Sequence, residues 1–171
     1  MRRWLSPLWV RNLIGAVVMV AALGVIIATT LSDQWATYRH TVVPDVVVAK
    51  GESGDAGGYT WEVDSVRHLN RKPSRFGPQL PEGAVLTVVT VDMSGPAREN
   101  PETCSAVITD GQQRWASEKA GGLGPTPPDG VGIRCEKPGP VQFSFVLPQD
   151  AVPDALDVTS ADGRLLARMM L

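Results

Sequence analysis

Two cysteines, two histidines and a few clustered carboxylates are the side chains in this sequence with chemistry to offer. Cys104 and Cys135 are an even pair, 31 positions apart. In an exported domain such a pair reads as a disulfide. Its closed loop of about 32 residues is worth about 3–4 kcal/mol in the chain-entropy model. The alternative, two buried thiols, suits a reducing compartment. His40 and His68 neighbour neither cysteine. A catalytic zinc needs three protein ligands and a structural zinc four, so the sequence points to no metal site. Asp110, Asp129 and Asp162 each precede a glycine, where aspartate is favoured for turn geometry, and no calcium-loop spacing is present. Glu62 and Asp64 share one face of a predicted strand. They could serve as an acid–base pair, but a solvated outer face accounts for them with less.

Gly51-Glu52-Ser53-Gly54 presents a serine between glycines. A serine nucleophile needs a histidine and an acid in defined geometry, and His40 is the only histidine upstream. No G-x-S-x-G elbow occurs. The stretch reads as a flexible loop. No catalytic residue, cofactor or metal is expected, and an envelope hydrolase is the least favoured function.

The most distinctive polar feature is Arg67-His68-Leu69-Asn70-Arg71-Lys72-Pro73-Ser74-Arg75, with no acid from 67 to 81. Arg67, Arg71, Lys72 and Arg75 are candidate contacts for lipid headgroups or an anionic polymer, each worth about 1 kcal/mol near a charged surface. The plainer reading is a solvated loop, as most charge runs are.

These groups must be positioned by the elements around them. The chain has 171 residues and a net charge of -2, near balance, which argues against a nucleic-acid partner. The charge is unevenly spread. Arg2, Arg3 and Arg11 precede an uncharged run, 13–31, and 13 basic and 18 acidic side chains follow from residue 33 onward. Nineteen uncharged, mostly apolar residues in a helix span about 28 Å, close to a bilayer core. We therefore expect residues 1–12 in the cytoplasm, 13–31 as one transmembrane helix and 32–41 as a juxtamembrane linker. Residues 42–171 then form an extracytoplasmic domain of a cell-membrane protein. Trp4 and Trp9 on one side and Trp35 and Tyr38 on the other suit interfacial belts. A cleaved signal peptide has a shorter apolar core and a small-residue cleavage site, which fits less well.

Beyond residue 32, prolines and glycines punctuate short runs rich in Val, Thr and aromatics, the pattern of an all-β sandwich or barrel. Extended segments are predicted at 41–48, 59–67, 84–93, 104–109, 113–117, 141–147, 155–160 and 165–171, about eight strands. Ala84–Met93 is apolar on both faces and should be central. Asp110-Gly111 and Asp162-Gly163 should each turn a hairpin. Residues 50–58, 68–83 and 118–132 should be loops.

Four segments carry a family resemblance: Gly58-Tyr59-Thr60-Trp61-Glu62-Val63, Pro81-Glu82-Gly83-Ala84-Val85-Leu86-Thr87-Val88, Ile108-Thr109-Asp110-Gly111-Gln112-Gln113-Arg114-Trp115, and Val141-Gln142-Phe143-Ser144-Phe145-Val146-Leu147-Pro148. Together they resemble single-pass or lipid-anchored actinobacterial envelope proteins of mycobacterial type. Those proteins carry a small immunoglobulin-like ectodomain without an agreed activity. The resemblance covers residues 42–171. Twelve arginines against four lysines suit a high-GC source. It implies an immunoglobulin-like β-sandwich ectodomain behind one transmembrane helix, and a non-catalytic binding or accessory role. The expected partners are the membrane itself and another envelope protein, a lipid or an anionic polymer, but no nucleic acid. The second reading is a structural subunit of a larger membrane complex.

Overall fold

The computed structural model describes residues 7–69, 79–97, 103–118 and 122–171. Contacts divide the chain into two compact units, Met1–Arg39 and His40–Leu171. The first is dominated by one helix, α1 (Pro7–Val42). A run dominated by Leu, Ile, Val, Ala and Met keeps it helical, and Gly15 and Gly24 are tolerated inside it. Its apolar window carries no buried surface and is long and apolar enough to cross a membrane. The Thr29 hydroxyl donates back to the Val25 carbonyl at 2.9 Å, which satisfies a polar group within the helix itself. The helix continues through residues 32–41, the stretch expected to be a linker, and takes in Thr41 and Val42, which were expected to be extended.

The second unit holds nine strands among the described residues. They are β1 (Val46–Val48), β2 (Ser53–Ala56), β3 (Tyr59–Leu69), β4 (Ala84–Ser94), β5 (Cys104–Thr109), β6 (Arg114–Ala116), β7 (Gly139–Pro148), β8 (Ala155–Ser160) and β9 (Leu165–Met170). They form two separate sheets, of order β1-β9-β8-β5-β6 and β2-β3-β4-β7. All ladders are antiparallel except β1 on β9. One apolar cluster draws on both sheets, with Trp61, Val89, Val91, Phe143 and Phe145 from one and Ile108, Leu156, Val158 and Met169 from the other. The Trp61 indole N–H donates to the Ala56 carbonyl at 2.9 Å, so its one polar atom is satisfied in the core.

β4 is interior and buried on both faces, as its composition predicts. β7 departs from the expected alternation, because Gln142 and Ser144 are buried as well as Val141, Phe143, Phe145 and Leu147. The proline-rich segment lies over that outer face. Gln142 Nε2 donates to the Pro125 carbonyl at 3.0 Å, and the Glu118 N–H donates to the Ser144 carbonyl at 2.7 Å.

β2 replaces the expected loop at 50–58. Gly57 and Gly58 both have positive φ and join Ala56 to its cross-strand partner Tyr59, a two-residue turn that suits the strand twist. A Cβ on Gly54 would sit 2.6 Å from Val48 Cγ2, so glycine lets β2 pass close to β1 where the chain changes sheets. The tertiary pairing here overrides poor strand propensity.

Candidate functional site

Arg67 belongs to β3, opposite Val88 on the outer face of its sheet, and is exposed. Arg71, Lys72 and Arg75 lie outside the described residues. His68, the next residue, is no loop residue. It pairs across to Thr87, and its Nδ1 and the buried Thr87 Oγ1 hydrogen-bond at 2.9 Å.

A β-bulge explains which side chains face which way. The register slips between Val63 and Ser65, so Val63 faces Val91 and Val66 faces Val89, both core-side partners. Ser65, expected on the face of Tyr59, Trp61 and Val63, instead pairs with Thr90. Bulges of this kind re-aim side chains. Here the bulge turns Val66 and His68 toward the mouth between the sheets.

That mouth is a cleft of about 510 Å³. Val63, Val66 and His68 of β3 line it together with Val152, Pro153 and the end of β9, and Lys50 and Asp64 bring charge to the lining. The volume lies within the range of small-molecule sites, about 300–1,000 Å³. Asp64 lines the cleft and Glu62 does not, so the two carboxylates are not paired across one site. Ser53 lies in β2 and does not line the cleft with His68.

The strongest electrostatic feature is one that sequence reasoning missed. Asp157 in β8 has no exposed side-chain surface. Arg168 of β9 donates to it twice, Nε at 2.7 Å and Nη2 at 2.8 Å, and Arg114 of β6 donates through Nη2 at 2.9 Å. The bidentate geometry is the strong form of this contact. Hydrogen bonding to Asp157 holds the Arg168 guanidinium pKa above its ordinary value. Half of this cluster was readable. Asp157 and Arg168 stand equally far from the Asp162-Gly163 turn, so a hairpin centred there pairs them. Arg114 comes from a separate hairpin and has no such sequence signal.

The two hairpin aspartates behave as turn residues. Asp110 Oδ1 accepts the N–H groups of Gln112 (2.9 Å) and Gln113 (2.6 Å), and these bonds hold its pKa below 3.8. Asp162 accepts from the Ser160 hydroxyl and the Arg164 N–H, with the same direction of shift. Cys104 and Cys135 form the expected disulfide, with Cα atoms 5.4 Å apart. Among the described residues, no three His, Cys, Asp or Glu side chains converge as a metal site. Comparison with known protein families, curated proteins and solved structures finds no match to this chain.

Proposed function

We propose that this chain is a single-pass envelope protein whose helix α1 spans the cell membrane and whose two-sheet unit is an extracytoplasmic, non-catalytic binding or accessory domain. One observation carries the reading: the apolar window of α1 has no buried surface. A helix apolar all round and covered by nothing in its own chain has its low-energy environment in lipid. The aromatic spacing agrees. Trp9 and Trp35 are about 39 Å apart along a helix axis at 1.5 Å per residue, and both are exposed. That spacing suits one ring near each interface of a bilayer about 40–45 Å thick with its headgroups. Arg2, Arg3 and Arg11 before the span favour a cytoplasmic N-terminus. The disulfide favours an oxidising location for the other end.

The two-sheet unit is an immunoglobulin-like sandwich in this reading. Support comes from strand order. The run β9-β8-β5-β6, with β1 beside β9, follows the G-F-C-C′ order of a variable-type domain, and the facing β3-β4-β7 follows A-B-E, although among the described residues no strand takes the place of D beyond β7. The disulfide differs, since it ties the start of β5 to the segment before β7 rather than bridging the two central strands. The resemblance to actinobacterial envelope proteins fits the same architecture.

The partner is an envelope protein, a lipid or an anionic polymer, contacted in part through Arg67, Arg71, Lys72 and Arg75. The separation of Glu62 from Asp64 and of Ser53 from His68 favours binding over hydrolysis. A structural subunit of a membrane complex is the second reading, and a stoichiometric partner captured in mild detergent would favour it. The anchor is tested by alkaline carbonate extraction. The full chain stays with the membrane, and deletion of residues 13–31 releases it. Extraction of the full chain by carbonate would overturn the spanning assignment.

A further inference from the structure

Two arginines close on one carboxylate in the β1-β9-β8-β5-β6 sheet, one cation more than Asp157 needs. Arg168 Nη2 and Arg114 Nη2 meet on the same oxygen, Oδ2, at 2.8 and 2.9 Å, so the two guanidinium groups are held side by side. Like charges this close repel unless an anion lies between them, and the carboxylate of Asp157 is that anion. It has no exposed surface, while the side chains of Arg114 and Arg168 are 48% and 33% exposed. A partner therefore meets two cations over a covered anion. Each guanidinium has five N–H donors. Arg168 spends two on Asp157 and Arg114 spends one. Among the described residues neither makes a further hydrogen bond, and no second carboxylate lies within ion-pair distance of either.

The strand register puts these groups on the face away from the core. Val47, Arg168, Asp157, Val107 and Ala116 are cross-strand neighbours in one row over all five strands, and Arg114 stands two residues before Ala116 on β6. The residues flanking them in the chain, such as Leu156, Val158, Ile108 and Met169, turn into the core. Val47, 59% exposed, and Ala116, also exposed, end the row.

We propose that Arg114 and Arg168 dock a carboxylate side chain of an acidic partner protein, seated against this outer face of the sheet. The complementarity is one of charge first, since two partly exposed cations share a single covered anion. The fork of N–H donors matches a planar carboxylate, as Arg168 already shows on Asp157. Asp157 orders both side chains before a partner arrives, so docking loses little rotamer freedom. A protein surface also covers Val47 and Ala116, which a lipid headgroup or a polyanion would leave in water. The site lies within the unit His40–Leu171 and depends neither on α1 nor on the basic run at 67–75.

The test uses the full chain in phosphatidylcholine nanodiscs and a fluorescein-labelled peptide of alternating glutamate and glycine, with the matched glutamine peptide as control. Binding is read by fluorescence anisotropy at physiological ionic strength, where charges beyond about 8 Å are screened. The glutamate peptide should bind and lose affinity as salt is raised, and the glutamine peptide should not bind. Arg114→Gln should weaken binding about tenfold through the loss of one charged donor. Val47→Glu should weaken it about threefold and Val47→Lys should strengthen it by a similar factor. Neither Val47 variant should move the urea midpoint, because the side chain is exposed. A purely structural ion pair would leave peptide binding indifferent to the charge at position 47. Replacing Arg67, Arg71, Lys72 and Arg75 with Gln should leave the peptide affinity unchanged. No binding of the glutamate peptide, equal binding of the glutamine peptide, an affinity unmoved by the Val47 variants, or loss of binding with the 67–75 cations would each overturn the proposal. Co-sedimentation of the nanodiscs with phosphatidylglycerol vesicles, lost in Arg114→Gln, would assign the site to a lipid headgroup and overturn it as well.

Discussion

Asp157 has no exposed surface and two guanidinium partners, so its energetics depend on both arginines staying in place. Removing one partner of a buried ion pair costs more than the pair contributes, because the remaining charge is stranded. Arg168 makes two of the three bonds, so Arg168→Ala should destabilise the domain by about 3 kcal/mol. Arg114 makes one bond from a half-exposed position, and Arg114→Ala should cost about 1 kcal/mol. Urea unfolding of the two variants checks this order, and equal losses would contradict it. Asp162 behaves differently. Its folded pKa lies below 3.8, so its contribution is present in full above the unfolded value and is lost as pH falls through the folded one. Asp162→Asn should therefore shrink the drop in unfolding midpoint between pH 5 and pH 2.5, and an unchanged drop would remove Asp162 from the acid response. At this scale the sequence marked the turn aspartates and the cysteines, because their neighbours are local. It did not mark the arginine clamp in full, because Arg114 meets Asp157 only after β5 and β8 have paired.

Among the elements, β2 is the one whose formation depends most on its surroundings. Ser-Gly-Asp-Ala has no strand propensity of its own, and it is held by pairing with β3 and by the close approach of β1. Gly54→Ala should cost about 1–3 kcal/mol through overpacking against Val48. Adding Val48→Ala should recover part of that loss, because the two side chains meet directly and their effects are coupled. Additive losses in thermal unfolding would show that the close approach is not the cause. The disulfide joins β5 to a segment without regular structure across 31 positions. Replacing both cysteines with serine should cost about 3–4 kcal/mol on loop entropy, read as a lower urea midpoint. β3 was legible from alternation, β4 from an apolar run on both faces, and β5, β8 and β9 from their turn residues. β2 was hidden by its glycines, and the bulge in β3 left no trace in the alternation of Tyr59, Trp61 and Val63. The helix ran on past the apolar stretch because 32–42 lacks proline and glycine, so nothing in it stops a helix already nucleated.

At the scale of the whole molecule, the chain joins a helix with an unburied apolar surface to a disulfide-bonded β unit, and the proposed anchor puts the two in different solvents. The apolar run and the arginines ahead of it were plain in the sequence, because both signals are compositional and need no folding to appear. The cleft was not, since it is built from β3, the 152–153 loop and the end of β9, which only the sheet topology brings together. A membrane-anchored, exported domain requires the end of the chain to lie outside. The most direct measurement is a pair of fusions after Leu171, one to a phosphatase that folds only outside the membrane and one to a fluorescent protein that matures only inside. An exported C-terminus gives an active phosphatase and a dark fluorescent fusion. A bright fluorescent fusion with an inactive phosphatase would contradict it.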